Sequence, residues 1–169
     1  MGRSHSSTFL GLSRQDVVHT ARTTAAAAAS LVFARLFKLP EDYWAAITTL
    51  VVMQSTLGGA FTVSWQRFVG TAMGAAMAAL FATYFGPNAA LFAFGIFILG
   101  IICAASGLDR AAYRFAAITL AITMLVAHSK PAWVMAVHRF IEVSLGIAVG
   151  LAMTALWPER PPRPGDSFR

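Results

Sequence analysis

Six stretches of almost unbroken apolar sequence, each closed by glycine, proline or a short charged run, limit what this chain can fold into. They cover residues 17–37, 43–57, 66–85, 89–106, 111–127 and 133–157. Between them stand punctuating segments such as Lys38-Leu39-Pro40-Glu41-Asp42, Gly58-Gly59, Gly86-Pro87-Asn88 and Lys130-Pro131, as chain reversals require. A helix needs about 20 apolar residues to cross a hydrocarbon core ~30 Å thick, and most of the runs approach that length. They lack the in/out alternation of membrane barrel strands, and alanine-rich stretches such as residues 25–29 favour helix. The expectation is an all-α integral membrane protein with six transmembrane helices.

Composition points the same way. Hydrophobic residues make up 57% of the chain and charged residues 12%, against roughly 45–50% and about 25% in soluble domains. That leaves too little polar surface to coat a water-soluble globule. The formal net charge of +6 arises from basic residues scattered between apolar runs, so no basic face forms and nucleic acid is not an expected partner. The single cysteine, Cys103, has no partner for a disulfide or a metal clip, and His5, His19, His128 and His138 lack ligand spacing. No metal or cofactor is expected. Six spans of about 20 residues leave no length for a catalytic domain outside the bilayer. No phosphate-binding loop, nucleotide fingerprint or nucleophile–base arrangement occurs either, so an enzyme is not expected.

The polar residues 1–16 read as a cytoplasmic N-terminal segment rather than a cleavable signal, and the Pro- and Arg-rich residues 159–169 as a disordered cytoplasmic tail. The six-helix domain lies between them, over residues 17–158. Counting Lys and Arg fixes the orientation. Arg3, Arg14, Arg67, Arg110, Arg114, Arg160, Arg163 and Arg169 fall on one side; Arg35, Lys38, Lys130 and Arg139 fall on the other. Both termini are therefore expected in the cytoplasm of a multi-pass protein of the bacterial inner membrane.

The sequence also repeats. Arg67-Phe68-Val69 opens the third run, and Arg139-Phe140-Ile141 recurs 72 residues later. At that offset Gly74 falls on Gly146 and Ala78 on Gly150, while Ala45-Ala46-Ile47-Thr48 recurs 71 residues on as Ala116-Ala117-Ile118-Thr119. A unit of three spans must insert its second copy upside down. Two inverted three-helix repeats are therefore expected, an architecture that recurs in transporters with the substrate site near the midplane. Gly70, Gly74, Gly146 and Gly150 put small residues on one face of the third and sixth spans, where close helix packing is expected.

Charge inside the spans is costly, at least ~2.5–3.5 kcal/mol per residue on insertion scales. Arg35 and Arg114 read as side chains snorkelling to the interface. Arg22, five residues into the first span with His19 one turn before it, and Arg139 are either snorkelling or buried. An arginine held in a bundle without an adjacent acid is a natural partner for an anionic substrate, and Arg22 is the strongest such candidate. Glu142 stands three residues after Arg139, placed for an intrahelical ion pair or for proton coupling, in which His19 and His128 are further candidates. The second run is short and ends in Gln54-Ser55-Thr56-Leu57-Gly58-Gly59. Either this is a broken helix at a substrate site, or the helix ends early and residues 61–65 form an interfacial turn. Tyr43, Trp44, Phe61, Trp65 and Trp133 read as interfacial aromatic anchors.

The run Tyr43-Trp44-Ala45-Ala46-Ile47-Thr48, the turn Gln54-Ser55-Thr56-Leu57-Gly58 and the helix Arg67-Phe68-Val69-Gly70-Thr71-x-x-Gly74 together resemble the signature of the fusaric acid resistance (FUSC) and aromatic acid exporter superfamily. Arg139, Glu142 and Gly146, followed by Trp157-Pro158, resemble that family's closing span, and Ser55 stands where the family often has proline. The resemblance implies a proton-driven carrier, or a channel, that exports small organic anions such as aromatic carboxylates. Arg22, Arg67 and Arg139 would supply positive potential and Gln54 hydrogen bonding. It implies one membrane half acting as a homodimer in the lipid bilayer. The rival expectation is a non-transporting membrane scaffold for a separately encoded accessory subunit; a membrane-embedded lipid enzyme is a weaker one.

Overall fold

Runs rich in alanine and leucine, with glycine or a capping side chain at their ends, become helices here for the reasons that hold in water: low side-chain entropy cost within and satisfied backbone groups at the ends. The computed structural model describes residues 14–53, 56–86, 88–126 and 130–157. Among the described residues there are six α-helices and no strand: α1 (Arg14–Leu36), α2 (Tyr43–Val52), α3 (Leu57–Tyr84), α4 (Ala89–Ala105), α5 (Arg110–Leu125) and α6 (Ala132–Leu156). Gly86 (φ 75°) and Gly107 (φ 65°) supply the left-handed turns beyond α3 and α4. The Asn88 side chain accepts from the Ala90 amide at 2.8 Å to start α4.

The helix boundaries correct the sequence reading between the second and third runs. α2 ends at Val52 after ten residues, and α3 begins at Leu57 rather than at Gln66. Gly58-Gly59 does not break the chain. It lies in the first turn of α3, where the Thr56 hydroxyl accepts from the Gly59 amide at 3.1 Å, and residues 61–65 continue the helix instead of forming an interfacial turn. A threonine cap outweighs two glycines at a helix start, because glycine costs least where the helix is least ordered. With 28 residues, α3 is about 42 Å long, and Arg67 sits well inside it instead of at its mouth. Gln54 is outside the described residues.

α3 and α6 pack against each other at the centre. α5 lies along α3 and α2 along α6, with α4 outside α5 and α1 against α2 and α6. The helix-packing glycines do not face one another. A Cβ on Gly74 would strike the carbonyl oxygen of Ala116 in α5, and one on Gly146 would strike that of Ala45 in α2. Gly70 meets the Ala112 carbonyl, and a Cβ on Gly150 would lie 2.9 Å from Val52 Cγ1. Small residues therefore bring α5 onto α3 and α2 onto α6 at backbone distance. Two apolar clusters fill the interior: Phe81, Leu99, Leu120 and Met124 on one side, and Val52, Ala60, Val143 and Ile147 on the other.

The outside is apolar as well. Phe33, Phe61, Trp65, Phe94, Phe97 and Ile141 all face outward, a surface suited to lipid tails. Among the described residues only α6 is by itself long and apolar enough to cross a membrane; α2 and α4 are shorter apolar helices.

Candidate functional site

Helical spacing puts Arg139 and Glu142 on one face of α6, the face turned toward α2, and both are buried (3% and 1% exposed). Arg139 Nη2 donates to Glu41 Oε2 at 2.5 Å, and its Nη1 lies 3.6 Å from Glu142 Oε2. Glu41 comes from the loop leading into α2. Its backbone amide donates to Glu142 Oε1 at 3.0 Å. The carboxylate of Glu142 thus anchors the start of α2, where the side chain of Asp42 provides no cap and instead pairs with Arg35 at 2.8 Å. A negative charge at a helix start is favoured by the exposed amides and the helix dipole. The Arg139 guanidinium lies over the Trp44 indole, 4.1 Å from its centroid.

Arg67 on α3 has a different environment. It is 6% exposed, its Nε donates to Thr48 Oγ1 at 3.1 Å, and its guanidinium sits over the Phe115 ring of α5 at 4.9 Å. Among the described residues no carboxylate lies within ion-pair distance of it. Its charged neighbour is instead Arg139, close enough to repel it. The next residues along, Phe68 and Phe140, pack with ring centroids 5.0 Å apart where α3 crosses α6. On α2, Trp44 and Thr48 are one turn apart, so this short helix presents one side chain to each arginine.

Arg22 is fully buried, and its Nη1 donates to the Trp157 carbonyl at 2.8 Å. Trp157 follows the last residue of α6, so Arg22 ties α1 to the carbonyl-rich end of that helix, the end that attracts cations. Arg22 shares its face of α1 with Ala26, Ser30 and Ala34, all buried. His19, partly exposed, lies three residues earlier on α1. Gln54 and His128 lie outside the described residues.

The structure therefore brings Arg67 and Arg139 together with Glu142 and sets Arg22 apart at the end of α6. Sequence reasoning passed over Glu41, which looked like a loop acid, and Trp44, which looked like an interfacial anchor. It noted Thr48 only as part of a repeat and missed Phe115. One signal was available: extending the 71-residue match by one position pairs Trp44 with Phe115, the two rings beneath the two arginines.

Two apolar grooves lie elsewhere. One of about 760 Å³ runs between the start of α3 and the second half of α6, lined by Leu57, Phe61, Thr62, Leu151 and Ala155. Another of about 380 Å³ lies beside Ala72, Ala76, Ala136, Trp133 and Phe140. Neither includes Arg67 or Arg139. They are nearly wholly apolar and suit lipid chains or a neighbouring helix better than an ion.

The bundle has an apolar exterior and a charged seam at its centre. The model of the family described as "Fusaric acid resistance protein-like" matches residues 26–153, and the chain belongs to that family. It is also 31% identical over 146 residues to a Salmonella typhimurium protein named "Uncharacterized transporter YdhK". That match takes in 81% of this chain and 22% of the relative, so the chain spans less than a quarter of the relative's length. No solved structure matches the chain.

Proposed function

We propose that this protein transports small organic anions across the membrane, with Arg67 as the group that meets the cargo's negative charge. The observation that carries the proposal is the buried Arg67 guanidinium: it has a hydroxyl and an aromatic ring for company but no acid within reach among the described residues. A buried cation left without a counter-ion is costly, and an arriving carboxylate relieves that cost while gaining bidentate hydrogen bonds. The family and the relative's name support transport over catalysis.

In this reading the chain spans the bilayer with six helices arranged as two inverted repeats. The contacts support it, because they fall in matched pairs at the sequence offset. Arg67 over Phe115 matches Arg139 over Trp44, and Gly74 on Ala116 matches Gly146 on Ala45. Phe68 packs on its own counterpart, Phe140, as residues beside a two-fold axis must. The short α2 then forms the element that moves to open the seam.

The same cluster offers a route to proton coupling. Arg67, Arg139, Glu41 and Glu142 carry no net charge when all are ionised. An anion at Arg67 adds one negative charge, and a proton on Glu142 cancels it. Protonation also loosens the carboxylate grip on the α2 start, linking charge to movement. The test is uptake of radiolabelled benzoate into proteoliposomes under an imposed pH gradient. Wild-type protein should accumulate benzoate, and Glu142→Gln should still exchange it but no longer concentrate it. No flux of any carboxylate, with a stoichiometric soluble partner co-purifying, would support the scaffold role instead.

A further inference from the structure

Several buried hydrogen-bond donors around the two arginines have nothing to donate to. Trp44 Nε1, Ser64 Oγ, Arg139 Nε and Arg139 Nη1 are each shielded from solvent without a hydrogen-bond acceptor. They flank the two arginines. The Trp44 ring lies under Arg139, Thr48 one turn further along α2 holds Arg67, and Ser64 precedes Arg67 by three residues on the same buried face of α3. The acceptors nearby hold other partners, and none of them receives these donors. Glu142 takes the Glu41 amide, Glu41 takes Arg139, and the Thr48 hydroxyl takes Arg67. Within a bilayer no water is present to satisfy the remainder, so each idle donor costs free energy.

The surplus also sits unevenly. The repeat positions matching Trp44 and Ser64 are Phe115 and Ala136, which carry no side-chain donor. Both idle neutral donors therefore stand on the first-repeat side, on α2 and α3, the two helices that flank Arg67. A cation without a carboxylate in reach, accompanied by an indole N–H and a hydroxyl that donate to nothing, matches an oxyanion whose two oxygens each accept more than one hydrogen bond.

We propose that the Trp44 indole N–H and the Ser64 hydroxyl join the Arg67 guanidinium in seating a carboxylate, so that α2 and α3 both close on the cargo. The inference rests on the anion-transport reading and extends it to two residues that the arginine pattern alone does not reach. Arg139, stacked on the indole, is a positioning residue that holds the N–H edge in place.

The experiment is calorimetric titration of the purified full chain in detergent micelles with benzoate, comparing wild type, Trp44→Phe and Ser64→Ala. Trp44→Phe keeps a ring beneath Arg139 and removes only the N–H; Ser64→Ala removes only the hydroxyl. Each variant should bind benzoate about tenfold more weakly, as expected for loss of one hydrogen bond to a charged group. Neither should lower the unfolding temperature of the unliganded protein, since each removes a donor that had no partner. A purely structural role makes the opposite prediction, with stability falling alongside affinity. Unchanged affinity in both variants, absence of benzoate binding by wild type, or a loss of affinity that tracks a loss of stability would overturn the proposal. Weakened binding in variants of a protein that carries no flux would uphold this seat and reject transport. Unchanged affinity in variants of a protein that does carry flux would reject the seat and leave transport standing.

Discussion

Arg139 and Arg67 occupy matched places in the sequence repeat, each over an aromatic ring of a neighbouring helix, yet their surroundings differ in one respect. Arg139 has Glu142 three residues later and Glu41 across the gap. At the matching positions near Arg67 stand Gly70 and Ala112, whose backbones touch. At one end the acids fix a guanidinium to the start of α2 and stabilise the fold. At the other end helix-on-helix contact has replaced the acids and left a guanidinium with spare bonding capacity. In the proposed reading, a buried arginine is a structural group or a binding group according to whether the chain supplies its counter-charge.

The difference can be broken most forcefully at Arg139. Arg139→Met leaves Glu142 buried without its cation, and should cost about 3–5 kcal/mol of stability, read as a large drop in unfolding temperature in detergent. Arg139→Met combined with Glu142→Met should recover most of that loss, because a buried pair replaced by apolar side chains of similar volume is close to neutral. If the double variant is no more stable than the single one, the bond from the Glu41 amide to Glu142, rather than charge balance with Arg139, is what holds the start of α2.

The glycine contacts sharpen the comparison on a smaller scale. Gly74→Leu and Gly146→Leu force a side chain into a neighbouring carbonyl, so each should cost at least about 1–3 kcal/mol. Gly58 has open space around it, and Gly58→Ala should leave stability unchanged or raise it by up to about 1 kcal/mol. A modest effect is expected where the two ends meet. Phe68→Leu and Phe140→Leu remove the same ring contact and should each cost about 0.5–1.5 kcal/mol beyond lost burial. Unequal losses there would argue against the matched geometry of the two repeats.

Much of this organisation was legible in the chain. Helix type followed from apolar runs bounded by glycine and proline, and the recurrence of Arg67-Phe68 as Arg139-Phe140 could be read directly. The α2–α3 boundary was not, because Gly58-Gly59 looked like a break while the deciding signal was one threonine hydroxyl on a backbone amide. At the site, Arg67, Arg139 and Glu142 stood out as charges inside apolar sequence. Arg22 looked equally exceptional, since its partner is a carbonyl 135 residues away that no local spacing reveals. Glu41 and Trp44 lie beside helix ends, where acids and aromatics are ordinary, so only the three-dimensional approach of α2 to α6 marks them.

Arg67 is the group proposed to meet the cargo. Its most direct test is benzoate flux through proteoliposomes containing Arg67→Gln, beside wild type and with unfolding temperatures measured on the same preparations. The expected result is a loss of at least about tenfold in flux, as for removal of a charge-assisted bond, with stability unchanged or improved. Flux equal to wild type, or a collapse in stability like that of Arg139→Met, would contradict it.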